Sequence, residues 1–147
     1  EVEIASDTQA LNGLVAAILA VEPGVHVLRD PTRGGLSSAL NEIAATSGVG
    51  MVLDEAAIPI PGPVRAACEM LGLDPFHVAN EGKLVAIVPA ATADAVLAAM
   101  RALPEGAEAA RIGEVVADHP AMVTIRTIVG SERIVDMLVG EQLPRIC

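Results

Sequence analysis

The chain has 147 residues, 52% of them hydrophobic, and a formal net charge of −10 from Lys+Arg 9 against Asp+Glu 19. That length and apolar content suffice for one buried core, while the acidic balance argues against nucleic acid or an anionic membrane as a partner, since both require a basic surface. A single Phe and no Trp or Tyr leave Val, Ile, Leu, Ala and Met to fill the interior, the palette of helices on a largely buried sheet.

Ser6-Asp-Thr-Gln9 has the form of a capping box, and Leu11, Leu14, Val15, Ile18 and Leu19 recur at helical spacing behind it, which predicts a first helix with one apolar stripe. Glu22-Pro23-Gly24 stops it, and Val25 to Leu28 reads as a short strand running into DPTRGGL (30–36). A second helix is expected from about Gly34 to Thr46, with Leu36, Leu40, Ile43 and Ala44 inward and Gly48 as its stop. Val49 to Leu53 is strand-like. Pro61 and Pro63 introduce a third helix with Val64, Ala67, Cys68 and Leu71 on its apolar face, ended by Gly72.

LVAIV (84–88) is a continuous apolar run, as expected of a strand covered on both faces. Thr92 is placed to cap a fourth helix that buries Val96, Ala99, Met100 and Leu103 before Pro104 closes it. Met122 to Ile128 alternates, with Val123, Ile125 and Thr127 on one side. Gly130-Ser131 then suits a tight turn and Arg133 to Met137 a return strand. Beyond Gly140 nothing is periodic, and Pro144 discourages helix and central strand alike. The order α-β-α-β-α-β-α-β-β predicts a layered α/β domain over 1–139, a mixed sheet with helices packed on it, followed by a tail at 140–147.

Several stretches bear chemistry. In DPTRGGL, Gly34 and Gly35 sit where a strand ends and a helix begins, so backbone N–H groups can approach an anion closely. Thr32 adds a hydroxyl, Arg33 a forked cation and Asp30 an acceptor or metal contact; the bland alternative is a steric turn with Thr32 as the helix cap. VANEGKL (78–84) sets Asn80, Glu81 and Lys83, the only lysine, just before the apolar run. A carboxylate there can act as general acid or base if burial raises its pKa; the alternative is an exposed turn around Gly82.

His26, His77 and His119 have no ligand spacing, so no metal site is read. Cys68 lies on an apolar helix face as a small core residue, and Ser37 and Ser38 lack a nucleophile-elbow pattern. Two distant cysteines are no disulfide framework and suit a reducing cytoplasm. No apolar run nears the ~20 residues of a membrane span and no leader opens the chain. Its first residue is Glu rather than Met, as expected of a fragment or a processed protein. Cys147, the last residue, is either incidental or a thiol on a tail; Arg145 favours its thiolate and the terminal carboxylate opposes it.

DPTRGGLSSALNEIA, DEAAIP, LGLDPFHVANEGKL and above all the ending DMLVGEQLPRIC resemble the hydrogenase maturation factor HypE family, within the superfamily of aminoimidazole ribonucleotide synthetase and selenophosphate synthetase. The likeness runs from about Ser6 to the end. DPTRGGL alone marks the superfamily; PRIC is the specific element. The resemblance implies that this is the C-terminal domain, with an N-terminal domain supplying most ATP and magnesium ligands and much of a homodimer interface, and that the isolated domain is inactive without it.

It further implies that Cys147 accepts a carbamoyl group from the carbamoyltransferase HypF, and that ATP activates the carboxamide oxygen. Loss of the N–H protons then leaves a thiocyanate, whose cyano group passes to iron on a HypC–HypD scaffold for the [NiFe]-hydrogenase centre. Cys147 and Glu81 become the catalytic candidates. Asp30, Thr32, Arg33, Gly34 and Gly35 become phosphate contacts, with Asn80, Lys83 and Arg145 in support. The alternatives are another ATP-dependent member of the superfamily, such as a selenophosphate synthetase, and a non-catalytic α/β binding module.

Overall fold

A computed structural model describes residues 6–137, so the tail at 140–147, with Arg145 and Cys147, lies outside the described residues. The elements in chain order are helix α1 (Asn12–Val21), strand β1 (Val27–Arg29), α2 (Gly35–Ser47), β2 (Gly50–Asp54), α3 (Gly62–Leu71), β3 (Val85–Ile87), α4 (Ala93–Arg101), β4 (Gly113–Val116), β5 (Val123–Arg126) and β6 (Glu132–Ile134). The expected layered α/β class is found, but the described strands form two sheets. One has four strands in the order β4-β2-β5-β6, and the other is the pair β1-β3. The larger sheet is mixed: β2 and β5 run parallel, and β4 and β6 add to them antiparallel.

Helix α2 packs on β2 and β5. Its Leu40 and Ala44 meet Met51, Leu53, Val123 and Ile125 of the sheet, with Ile58, Phe76 and Val135 completing the core. Phe76, the one aromatic residue, is buried in that cluster, and the Arg133 guanidinium lies 5.7 Å from its ring centroid, within cation–π range. Helices α1 and α4 pack on each other, burying Leu14 and Ile18 against Val96. Gly48 and Gly72 end α2 and α3 in the left-handed conformation that glycine adopts at least cost.

Four local expectations are corrected. Ser6 does not cap α1: its hydroxyl bonds within a turn to Thr8, and the helix begins only at Asn12 with no side-chain cap. Thr92 does not cap α4 either, because its hydroxyl donates to Glu22 and to the Pro89 carbonyl. The LVAIV run is only half-buried, since β3 pairs with β1 alone; the most buried strand is β5, whose Val123 and Ile125 are both inaccessible. Leu71, expected inward, is 71% exposed at the end of α3.

Strand β4 was not foreseen in the sequence reading. GEVV holds one acidic residue among apolar ones and gives no clean alternation, and only pairing with β2 makes it a strand. Ile125→Ala removes a fully buried side chain from the inner strand of the larger sheet and is expected to cost about 2–5 kcal/mol of unfolding free energy. With no Trp or Tyr in the chain, circular dichroism during denaturant titration is the measurement that checks it.

Candidate functional site

The end of β1 feeds DPTRGGL directly into α2. Gly34 (φ 64, ψ 18) and Gly35 (φ 64) both take left-handed backbone, and no side chain caps the helix. The first-turn N–H groups of α2 therefore have no side-chain acceptor, the arrangement that favours an anion at a helix start. The alternative reading of Thr32 as the cap fails. Its hydroxyl donates instead to Asp30 Oδ2, holding the Asp30 carboxyl below its ordinary 3.8, with the Asp30 and Thr32 backbone N–H groups and the Arg29 charge acting in the same direction and desolvation opposing them. Arg33 is exposed at the turn and forms no ion pair among the described residues.

The turn is pressed against the segment leading into VANEGKL. A Cβ on Gly35 would lie 2.5 Å from the Phe76 carbonyl oxygen and 2.6 Å from that of Val78. Only glycine fits there, for space as well as for φ. The Asn80 N–H donates to the Pro31 carbonyl at 3.2 Å, and the Asn80 side-chain amide donates to Val78 O at 2.9 Å. Two stretches some fifty residues apart in sequence are thus joined, the turn of Asp30 to Gly35 on one side and Phe76 to Asn80 on the other, with Glu81 next along the chain.

Glu81 is exposed, so the burial that an acid–base role called for in the sequence reading is not found among the described residues. Its backbone N–H donates to Asp7 Oδ2 at 3.3 Å, and Lys83 Nζ pairs with the same oxygen at 3.1 Å. Lys83 is therefore engaged with the segment before α1 rather than standing beside Glu81 as a free amine. His26, His77 and His119 gather no metal set: among the described residues no group of three His, Cys, Asp or Glu side chains is arranged to hold an ion. Cys68 is buried, as expected of a core residue.

Three side chains that the sequence reading did not assign to the site act on the last described residues. Ser37 Oγ and His77 Nε2 both bond to the Asp136 carbonyl, and Asn41 Nδ2 donates to Val135 O at 2.8 Å. The sequence held one signal for them. Ser37 and Asn41 stand four residues apart beside the apolar stripe of α2, and polar groups there need internal partners. Ser37 is 1% exposed.

Residues 3–125 match the family described as AIR synthase related protein, C-terminal domain. Over its 147 residues the chain is 67% identical to the carbamoyl dehydratase HypE of Cupriavidus necator, covering all of this chain and 42% of that protein. It is similar to the crystal structure of the hydrogenase maturation protein HypE in complex with ATP, with TM-score 0.89 and 47% identity over 99% of this chain and 44% of that one. A chain of the HypE–HypF complex matches with TM-score 0.88 and 42% identity over 94% of this chain and 45% of that one. The chain thus spans less than half the length of these relatives.

Two outcomes test the turn. Asp30 contributes stability that is present above its unfolded pKa and lost as pH falls through the lower folded value, because its carboxyl is depressed. NMR titration is expected to find it titrating below 3.8, and Thr32→Val is expected to return it towards that value. Gly35→Ala, which meets two backbone carbonyls, is expected to lower the melting temperature and to shift the amide resonances of both 30–36 and 76–80.

Proposed function

The chain belongs to the AIR synthase related proteins as their C-terminal domain, and from that premise we propose that it is the C-terminal part of an ATP-dependent carbamoyl dehydratase of hydrogenase maturation. The observation that carries this reading is the contact of DPTRGG with the segment that ends in NEG: Gly35 packs on the Phe76 and Val78 carbonyls, and the Asn80 N–H bonds to the Pro31 carbonyl. On this reading the helix start binds phosphate and Glu81 supplies the carboxylate, as activation of an amide oxygen followed by proton removal requires. The names of the relatives favour this chemistry over selenophosphate synthesis.

The proposed substrate is an S-carboxamide on Cys147, made by transfer of a carbamoyl group from the carbamoyltransferase HypF. The complex formed by a similar chain supports HypF as the donor. Sulfur suits the role because a soft thiolate both accepts the carbamoyl group and later releases the cyano group. The amide oxygen leaves poorly until phosphorylated. In the proposed sequence it takes the γ-phosphoryl group of ATP and releases ADP. The C–O bond then breaks with phosphate departing, while the N–H protons are removed and S–C≡N remains. The net change is carboxamide plus ATP giving thiocyanate, ADP, phosphate and one proton.

On this reading the N–H groups at the start of α2, with Thr32 and Arg33, hold phosphate oxygens, and Glu81 takes a nitrogen proton. Asp30 fixes the Thr32 hydroxyl, and Asn80 holds the two turns in register. Arg145 favours the Cys147 thiolate. No group of three His, Cys, Asp or Glu side chains among the described residues is arranged to hold magnesium by itself. Its ligands, most ATP contacts and the homodimer interface are assigned to the rest of the longer polypeptide, and without that part the domain is expected to be inactive. The cyano group is passed to iron on a HypC–HypD scaffold in the cytoplasm. No helix among the described residues is long and apolar enough to cross a membrane.

The test joins this domain to the rest of its polypeptide with ATP, magnesium, carbamoyl phosphate and the carbamoyltransferase, and follows the C-terminal peptide by mass spectrometry. A carbamoyl gain on Cys147 followed by ATP-dependent loss of one water is expected. Glu81→Gln is expected to keep the gain and slow the loss by about a hundredfold or more. An unmodified peptide beside an active carbamoyltransferase would leave the chain as a binding module.

A further inference from the structure

Among the described residues, the turn that bears Glu81 has few bonds of its own. Among the described residues no backbone–backbone hydrogen bond is made by Glu81, Gly82 or Lys83, and β3 begins only at Val85. What restrains the turn is the segment that precedes α1. Asp7 Oδ2 accepts from the Glu81 N–H at 3.3 Å and from Lys83 Nζ at 3.1 Å, while Gln9 Nε2 donates to the Gly82 carbonyl at 2.9 Å. The two backbones are in direct contact: a Cβ on Gly82 would lie 1.6 Å from the Asp7 carbonyl oxygen, and Gly82 is buried although both its neighbours are exposed.

Every residue of the turn is therefore touched by the strap formed by residues 7–9, and each contact is different in kind. The Asp7 carboxylate fixes the Glu81 main chain and the Lys83 charge, the Gln9 amide fixes the Gly82 carbonyl, and shape fixes Gly82 itself. A half-exposed ion pair contributes little stability by itself. Its geometry does more than its energy here, because Asp7 also draws the Lys83 ammonium onto its own oxygen and so keeps that cation from the carboxylate two residues back.

We propose that Asp7, aided by Gln9, is a positioning residue for Glu81: the strap sets where the Glu81 carboxylate stands relative to DPTRGG. This rests on the reading of Glu81 as the group that removes the nitrogen proton. Asp7 touches no reacting atom and acts only through the turn.

The experiment uses the longer polypeptide, carbamoylated on Cys147, and measures the first-order loss of water at saturating ATP. Asp7→Asn keeps the size of the side chain and removes its charge. It is expected to slow the loss about tenfold, as a small misplacement of a proton acceptor does, with the KM for ATP and the melting temperature unchanged. Gln9→Ala is expected to act in the same direction by about threefold, and serves if the Asp7 variant folds poorly. Combined with Glu81→Asp, which shortens the acceptor and keeps it ionisable, Asp7→Asn is expected to add little.

A wild-type rate in both strap variants overturns the proposal, as does a full multiplicative loss in the Glu81→Asp background. A rise in the KM for ATP without a fall in rate would reassign the strap to nucleotide binding and overturn it as well. If Glu81→Gln dehydrates at the wild-type rate, the fault lies with the reading of Glu81, a result distinct from failure of the strap.

Discussion

The approach of Gly35 to the carbonyls of Phe76 and Val78 is the contact on which the site depends. A side chain there would meet backbone on two sides, and backbone cannot yield as the end of a flexible chain can. Because the contact is close, the amino end of α2 and the segment from Phe76 to Asn80 move as one body. The Asn80–Pro31 hydrogen bond then fixes their register. Phe76 anchors the arrangement from beneath, since the residue whose carbonyl meets Gly35 is also part of the core that α2 forms with β2 and β5.

Above this buried scaffold the polar groups are exposed, and their organisation comes from short local bonds rather than from burial. Thr32 with Asp30, and Asp7 with Lys83, are pairs in contact with water, each weak in free energy. Their value is directional. A hydroxyl held by a carboxylate and an ammonium held by a distant aspartate are both removed from competing roles, which leaves the Arg33 guanidinium and the helix start as the cationic features of the turn.

Much of this was legible in the sequence, and the failures share a cause. The cores of the four helices and five of the six described strands were legible, and Gly48 and Gly72 end their helices as their positions predict. The two motifs stood out in the sequence, each with a plain turn as its alternative, and their contact through Gly35 and Asn80 is a finding of the structure. Strand β4, the strap at Asp7 and the Ser37–Asn41–His77 trio were not legible. Each exists only through a partner far along the chain, as when Asp7 meets Lys83 across 76 residues. Ser6 and Thr92 fail as caps for the converse reason. Both hydroxyls had the right local spacing, and a nearer or better-placed partner claimed them.

The bonds at Val135 and Asp136 have a consequence for reach. Ser37, Asn41 and His77 grip main-chain carbonyls, so this mooring depends little on which side chains occupy those two positions. Ser37 and Asn41 belong to α2, the helix whose first turn is proposed above to hold phosphate, so the mooring and that turn stand on one helix. Covalent geometry then limits everything beyond: the ten steps from Met137 to Cys147 span at most about 36 Å. That length is an upper bound on the distance of the Cys147 thiol from Met137. If Cys147 carries the group proposed above, its acceptor must come within that distance of Met137 to receive it.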